Sequence, residues 1–192
     1  MFIHIPKTGG LSIEKSLGLT VARTRGKFRR HFKHNGHYSF GHLDVRKRLK
    51  NGAIPKEFYE SAFKFCFSRN PFDRAVSHYF YARQKHPDIL NRKVSFIDFT
   101  RTLGEFGNTF QCQSYYTDGL DFDFIGKFEN LENDFEFIKN ATGLHGELVK
   151  LNSTNHRFYY DYYNKESEEN IARFYEADFK RFGYDNRLFP VF

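Results

Sequence analysis

The 192-residue sequence has no tryptophan, a single methionine, five prolines and only two cysteines. Cys66 and Cys112 are too few for the disulfide framework of a small secreted domain, and they lack the spacing of metal ligands. We therefore expect a reducing compartment, which is the cytoplasm if Met1 is the natural start. No apolar run approaches the roughly 18 residues of a membrane span, and the first residues do not have the pattern of a signal peptide.

Internal repeats, low-complexity tracts and Pro/Gly/Ser-rich linkers are also missing, which predicts a single domain over residues 1–192. What the chain does have is positive charge and aromatic rings. Lys and Arg number 30 against 23 Asp and Glu, and the net charge of +7 favours anionic partners. The 25 phenylalanines and 12 tyrosines predict a core built from rings instead of Leu and Met.

Short apolar segments alternate along the chain with helical patterns. The segments that read as strands are residues 2–5, 38–40, 62–67 and 122–125. Strands separated by helices indicate an α/β fold, in which a mainly parallel sheet is flanked by helices.

The clearest helix is predicted to begin at Asn70, which can act as the cap, with Pro71 at the first helical position. Apolar side chains then recur at helical spacing and form one buried stripe: Phe72, Ala75, Val76, Tyr79 and Phe80. A second helix is predicted over residues 166–182, with Gly183 as its stop. Residues 94–103 and 131–141 are predicted to be helical as well.

The first segment with a chemical signature is residues 6–12 (Pro-Lys-Thr-Gly-Gly-Leu-Ser), between a strand and a short helix. Two glycines allow a ligand to approach the backbone, and N–H groups at a helix start point toward an anion. Lys7 adds a mobile positive charge, and Thr8 and Ser12 add hydroxyl groups. The order of residues differs from the Walker A pattern, because the lysine precedes the glycine pair. The alternative is an ordinary Gly-Gly turn.

The second segment is residues 65–77, where Arg69 follows the end of a buried strand. Ligands of open α/β sheets bind at the carboxyl ends of strands. Ser77 lies two turns into the following helix, off the apolar stripe, and an arginine with a hydroxyl suits a phosphate monoester. Arg74 is an alternative to Arg69 as the anion ligand, or else it is a solvated helix residue.

Together these segments resemble the two nucleotide-binding motifs of sulfotransferases. Residues 5–10 are similar to the family's 5′-phosphosulfate loop, and residues 68–77 (Ser-Arg-Asn-Pro-Phe-Asp-Arg-Ala-Val-Ser) are similar to its 3′-phosphate motif. The resemblance continues through residues 124–131 and 178–184. It is greatest to the carbohydrate branch, which includes heparan and chondroitin sulfotransferases and small bacterial members.

The resemblance implies a P-loop-like fold and transfer of a sulfuryl group from 3′-phosphoadenosine 5′-phosphosulfate to a hydroxyl acceptor. By analogy with the family branch the acceptor is a carbohydrate, and it is anionic if the positive charge of the protein steers it. It assigns the 5′-phosphosulfate to one set of residues: Lys7, Thr8, Gly9, Gly10, Leu11 and Ser12. Arg69 and Ser77 would hold the 3′-phosphate. Lys7 would also be catalytic, by stabilising charge on the leaving phosphate oxygen. No metal is predicted.

The acceptor hydroxyl needs a base, and histidine is a usual one near neutral pH. Residues 41–44 (Gly-His-Leu-Asp) resemble the segment that carries the base in related enzymes, so His42 is the first candidate and His37 the second. Residues 152–157 resemble a loop that closes over the nucleotide, which suggests contacts from Ser153 and Arg157. A solvated polar loop explains that segment equally well.

Two glutamines, Gln111 and Gln113, are candidates for the acceptor side. Residues 23–33 contain six Lys or Arg in eleven positions. Such a run is commonly a solvated segment, but it also suits an anionic polysaccharide or nucleic acid.

Three other functions compete with sulfuryl transfer. A P-loop nucleotide kinase would need the Gly-Lys-Ser/Thr order and an acidic ligand for Mg²⁺, and neither is found. A basic nucleic-acid-binding module would explain the net charge, and its affinity would fall steeply with salt. A glycan-binding protein with this fold but no catalysis is the third. Since the nucleotide motifs already account for part of the positive charge, nucleic acid is not predicted as a partner.

Overall fold

The computed structural model describes residues 1–22, 36–41, 45–88, 90–91, 93–151 and 157–189. The chain divides into two compact units, one formed by Met1–Ser68 and Tyr116–Asn152 and the other by Arg69–Tyr115 and Ser153–Phe192. His42, Ser153 and the basic run 23–33 lie outside the described residues. Within the described part of the chain, no helix combines the length and the apolar character needed to cross a bilayer.

The first unit contains a parallel sheet, whose described strands follow one another in the order β2-β3-β1-β4-β5. In chain order these strands are β1 (Phe2–His4), β2 (Thr20–Val21), β3 (Tyr38–Gly41), β4 (Phe65–Ser68) and β5 (Phe124–Lys127). The predicted α/β class and the parallel sheet flanked by helices are therefore confirmed. β2 was not predicted, because two residues are too few to show an alternating pattern.

The side of the sheet to which the chain adds strands changes between β1 and β4. These two strands are parallel neighbours, with Phe2 opposite Phe65 and Ile3 opposite Cys66. After β1 the chain forms the strands on one side of β1, and after β4 it forms β5 on the other side. Ligands of open α/β sheets bind at such a switch point, beyond the carboxyl ends of the strands. The residues that follow β1 are the Lys7 loop.

The helices have the following bounds among the described residues. In chain order they are α1 (Gly10–Ser16), α2 (Val45–Lys50), α3 (Lys56–Ser61), α4 (Pro71–Lys85), α5 (Phe96–Arg101), α6 (Gln113–Thr117), α7 (Leu131–Thr142), α8 (Lys165–Phe174) and α9 (Glu176–Phe182). Three 3-10 helices accompany them in the same described residues: Leu103–Phe110, Phe128–Asn130 and Tyr159–Tyr162.

Alternate strand residues point to opposite faces of the sheet and build two cores in the first unit. One core joins strand residues to α1 and α7: Phe2, Phe65 and Phe67 with Ile13, Leu17, Phe135 and Ile138. The other joins strand residues to α2 and α3: Ile3, Phe40 and Cys66 with Val45 and Phe58. Because helices cover both faces, the strands are apolar on both sides, as the short apolar runs indicated.

α4 in the second unit begins as predicted. The Asn70 side chain accepts a hydrogen bond from Phe72 N at 2.9 Å, and Pro71 occupies the first helical position. An asparagine cap satisfies one of the N–H groups that have no partner within a helix, and proline supplies the right φ at no cost in hydrogen bonds. Four residues of the predicted stripe are buried, namely Phe72, Ala75, Val76 and Tyr79, whereas Phe80 is only partly buried.

The helix predicted over residues 166–182 is wrong in one respect, because it is two helices that meet at Tyr175. Tyr175 has φ −105° and ψ 24°, ends α8 and precedes α9. Neither glycine nor proline marks the break in the sequence. Its basis is tertiary, since the buried Tyr175 hydroxyl donates to Phe110 O at 2.9 Å and orients the chain at that point.

The core of the second unit is built from aromatic rings, as the composition predicted. Edge-to-face pairs recur in it, such as Phe99 with Phe110 at 5.1 Å and Phe96 with Tyr163 at 5.0 Å between ring centroids. Tyr163 also donates its hydroxyl to Phe72 O at 2.8 Å. Burial raises the pKa of the Tyr163 phenol well above its ordinary value, and nearby Tyr175 and Asp73 raise it further.

Tyr163→Phe should flatten the loss of stability at alkaline pH. The unfolded chain ionises this tyrosine near pH 10 while the folded chain keeps it protonated, so wild-type stability falls as pH rises beyond about 10. The variant lacks this dependence, and at neutral pH it should be about 1 kcal/mol less stable because it loses one hydrogen bond. Urea unfolding between about pH 8 and pH 11 measures both effects. Tyr160→Phe, at a half-exposed tyrosine, is the control, and parallel curves for wild type and Tyr163→Phe would contradict the expectation.

Candidate functional site

The loop between β1 and α1 has a strained backbone. Lys7 has φ 69°, in the left-handed region that residues with a side chain rarely adopt, and Gly9 has φ 81°. In residues other than glycine, such conformations cost free energy, and they cluster at ligand-binding sites. The strain at Lys7 is therefore a structural sign, independent of the motif, that this loop has a function.

The hydroxyl groups predicted for anion binding have internal partners in this structure. Thr8 is fully buried and its Oγ1 donates to Ile5 O at 2.9 Å. Ser12 is buried and its Oγ accepts from Leu151 N at 3.0 Å, which leaves its own proton to donate. Leu11 is 40% exposed and can offer a ligand only its backbone N–H and apolar surface. Both hydroxyls hold the loop in place.

The two glycines are required for different reasons. Gly9 has a positive φ, and a Cβ there would also press on the Phe128 ring at 3.3 Å. Gly10 is excluded from substitution by space alone, since a Cβ would lie 2.0 Å from His4 Cδ2. The backbone of α1 begins directly over the His4 ring.

Arg69 is held by a carboxylate of its own unit. Its Nε donates to Asp73 Oδ2 and its Nη2 to Asp73 Oδ1, both at 2.9 Å. The Arg69 side chain is 10% exposed. A bidentate pair of this kind uses two of the five guanidinium N–H groups and fixes the plane of the fork. The arginine is thus oriented before any ligand binds.

The Arg69 backbone is bonded to a glutamine side chain. Gln113 Oε1 accepts from Arg69 N at 2.8 Å, and Gln113 Nε2 donates to Arg69 O at 2.8 Å. Asp178, which is fully buried, accepts from Gln113 N at 2.7 Å and from Ser114 N at 2.8 Å. Sequence reasoning missed this support, and it placed Gln113 on the acceptor side, whereas the residue is fully buried.

Arg74 and Ser77 occupy the buried side of α4. Arg74 is completely buried, with Nη2 donating to Gln111 O at 2.8 Å and Nη1 lying 3.8 Å from Asp178 Oδ2. The interpretation of Arg74 as a solvated helix residue is therefore wrong. Its guanidinium makes contacts inside the second unit. Ser77 is 2% exposed, so only a small part of its surface can meet a ligand.

The remaining candidates are at the surface or outside the described residues. Arg157 is exposed, and its N–H donates to Tyr162 Oη at 3.2 Å. His37 is exposed and precedes β3, with its carbonyl accepting from Thr20 N at 2.9 Å. His42 and Ser153 have no structural description here. Lys7 through Ser12 thus form the loop before α1 and the first turn of α1 in the first unit, while Arg69, Ser77 and Arg157 belong to the second.

A polar cluster next to the loop was also missed. Glu14 Oε1 accepts from Ser39 Oγ at 2.6 Å and lies 2.9 Å from His4 Nδ1, and all three side chains are buried. The available signal was a glutamate between Ile13 and Leu17 in a helix that packs on the sheet. A charged residue at such a position is uncommon without a partner.

Comparisons with known proteins identify the family of the chain. The chain matches the sulfotransferase family over residues 1–185. It is 27% identical to carbohydrate sulfotransferase 10 of Xenopus laevis in an alignment that covers 79% of this chain and 52% of that protein. The chain thus spans about half the length of that relative. A protein of Archaeoglobus fulgidus with no function in its name is 33% identical over 106 residues, 52% of this chain and 84% of its own.

One solved structure is similar in fold. It is the crystal structure of a sulfotransferase from Alicyclobacillus acidocaldarius, with a TM-score of 0.50 and coverage of 96% of both chains. At 15% identity this likeness concerns the fold alone.

Proposed function

Because the chain belongs to the sulfotransferase family, we propose that it transfers a sulfuryl group from 3′-phosphoadenosine 5′-phosphosulfate to a hydroxyl group of a carbohydrate. The resemblance drawn from the Lys7 and Arg69 motifs is thereby confirmed at the level of the family. The observation that carries the proposal is the strained Lys7 loop, which follows β1 at the switch point of the sheet. The match over residues 1–185 supports a single sulfotransferase domain that includes both units.

The loop has the features needed to hold the sulfated end of the nucleotide. The donor, when bound, supplies an activated sulfuryl group whose transfer builds negative charge on the leaving phosphate oxygen. Lys7 would hold a positive charge at that oxygen. Backbone N–H groups of Thr8, Gly9, Gly10 and Leu11 would surround the anion, since no side chain obstructs it at the glycines. Ser12 would contribute its remaining hydroxyl proton.

Arg69 is the proposed ligand of the 3′-phosphate. Its fork is oriented by Asp73 and its backbone by Gln113, so the position and plane of the guanidinium are set before a phosphate binds. Ser77, the seventh residue of α4, would add a hydroxyl. Arg157 and Ser153 would make further contacts with the nucleotide.

The base and the acceptor come from the resemblance. His42 would take the proton of the acceptor hydroxyl, with His37 as the second candidate. A carbohydrate acceptor is supported by the name of the Xenopus laevis relative. The net charge of +7 supports an acceptor that is itself anionic, because positive charge steers anions toward a protein.

Calorimetric titration with adenosine 3′,5′-bisphosphate, in the absence of metal, tests the proposal. We expect tight binding of adenosine 3′,5′-bisphosphate and about a hundredfold weaker binding of adenosine 5′-phosphate, which lacks the 3′-phosphate. ATP should not bind more tightly than adenosine 3′,5′-bisphosphate. Equal affinity for the two adenosine phosphates would contradict the proposal. Tight binding of ATP only when Mg²⁺ is added would favour the nucleotide kinase instead.

A further inference from the structure

The polar cluster of His4, Glu14 and Ser39 joins three elements at the end of the sheet where the Lys7 loop begins. Glu14 extends from α1 to the sheet and is bonded there to β3 through Ser39 and to β1 through His4. The three residues are 6% exposed (His4), 6% exposed (Glu14) and 0% exposed (Ser39). One carboxylate thus holds α1 against two strands.

Packing does not explain a glutamate at this position. Ile13 of the same helix and Leu17, which follows its last residue, pack against the sheet with apolar side chains. A buried carboxylate costs free energy unless it is paired and hydrogen-bonded, and apolar residues of similar volume are commonly as stable or more so. The residue types of this cluster therefore point to a function that an apolar contact cannot perform.

The His4 ring is restrained on three sides. Nδ1 faces Glu14, the ring stacks on Phe2 with centroids 5.7 Å apart and planes at 17°, and the opposite edge faces Gly10. A Cβ at Gly10 would lie 2.0 Å from His4 Cδ2 and 2.1 Å from Nε2. The imidazole thus supports the backbone at the first residue of α1, and its orientation is fixed by Glu14.

Resting on the proposed function, we propose that His4 and Glu14 are positioning residues for the loop that holds the 5′ end of the nucleotide. Glu14 orients the imidazole, and the imidazole fixes the distance of the Gly10 backbone from β1. The N–H groups beside Gly10 thereby lie where an anion can accept from them. Displacements of about 1 Å in such supports are enough to weaken a preorganised site by an order of magnitude or more.

The test compares adenosine 3′,5′-bisphosphate with adenosine 3′-phosphate, which lacks the 5′ group. The dissociation constant of adenosine 3′-phosphate divided by that of adenosine 3′,5′-bisphosphate measures what the loop contributes to binding, independently of turnover. Glu14→Leu should reduce this ratio about tenfold, whereas Glu14→Gln, whose amide oxygen can still accept from His4, should keep most of it. Glu168→Leu is the matched control, because Glu168 is also buried and accepts from Phe189 N at 3.2 Å. It should lower stability and leave the ratio unchanged.

A pair of substitutions tests the contact between His4 and Gly10 directly. Gly10→Ala should reduce the ratio at least as much as Glu14→Leu, because the methyl group and the ring would overlap. His4→Ala removes the ring, so the double variant Gly10→Ala/His4→Ala should recover part of the ratio that Gly10→Ala loses. This pair decides the matter if Glu14→Leu does not fold.

Wild-type ratios in both Glu14→Leu and Gly10→Ala would overturn the inference, as would a double variant no better than Gly10→Ala alone. A wild-type protein that binds the two nucleotides equally would instead overturn the proposed function, and this inference with it.

Discussion

Lys7→Ala should lower the rate of sulfuryl transfer by about 10²–10³-fold while the fold stays intact. The amine is the charge proposed to stabilise the leaving phosphate oxygen, and an interaction that strengthens as charge develops affects turnover more than ground-state binding. Release of adenosine 3′,5′-bisphosphate from the donor, with an acceptor that the wild type uses, measures the rate. Alanine keeps the backbone strain of a residue with a Cβ at φ 69°, so stability is not expected to rise.

Two variants make this result specific. Lys15→Ala removes the same charge from an exposed position of α1 and should leave turnover near the wild-type value. Lys7→Arg keeps the charge but replaces a point charge by a planar fork, so partial activity is expected. If Lys7→Ala turned over at the wild-type rate, the catalytic role proposed for Lys7 would be wrong. Glycan binding by both proteins with no turnover in either would favour the glycan-binding protein without catalysis.

Arg69→Ala should weaken the binding of adenosine 3′,5′-bisphosphate by about 10²–10³-fold and leave the affinity for adenosine 5′-phosphate nearly unchanged. The reason is that a buried phosphate without its cation loses a charge-assisted bidentate contact. Calorimetry with both nucleotides measures the difference. An unchanged preference for the 3′-phosphate would show that another group binds it.

The Asp73 carboxylate complicates this variant, because it loses its partner and would repel the phosphate. Arg69→Ala/Asp73→Asn removes that repulsion, and the loss that remains belongs to the arginine. Arg101→Ala is a matched control in the same unit. Arg101 also forms a bidentate pair, with Glu166 at 2.7 and 3.0 Å, but its side chain is 50% exposed and no nucleotide role is proposed for it.

Local signals in the sequence predicted the elements whose causes are local. The start of α4 follows from Asn70 and Pro71, which act on the N–H groups next to them. The four predicted strands lie within a few residues of β1, β3, β4 and β5, because helices on both faces make these strands apolar. α2 and α3 were not predicted, since six-residue helices rich in charged side chains show little periodicity.

Interactions between distant residues explain what the sequence did not reveal. Gln113 and Arg69 are 44 residues apart, and Gln113 and Asp178 are 65 apart. Glu14 and Ser39 are 25 apart. The Lys7 and Arg69 motifs could be found because their residues are contiguous, whereas their supports come from elsewhere in the chain. The roles of Lys7, Arg69, Ser77 and His42 stay predictions.

The pairing of Gln113 with the Arg69 backbone has a consequence for motion. The Gln113 side chain accepts a hydrogen bond from Arg69 N and donates one to Arg69 O. A neighbouring strand in a sheet would form the same two kinds of hydrogen bond with the residue. Amide hydrogen exchange at Arg69 should therefore be as slow as in a strand, although no strand includes this residue. The conformational entropy of the Arg69 backbone is lost when the chain folds. Ligand binding therefore does not have to order this backbone, and its affinity is not lowered by that cost.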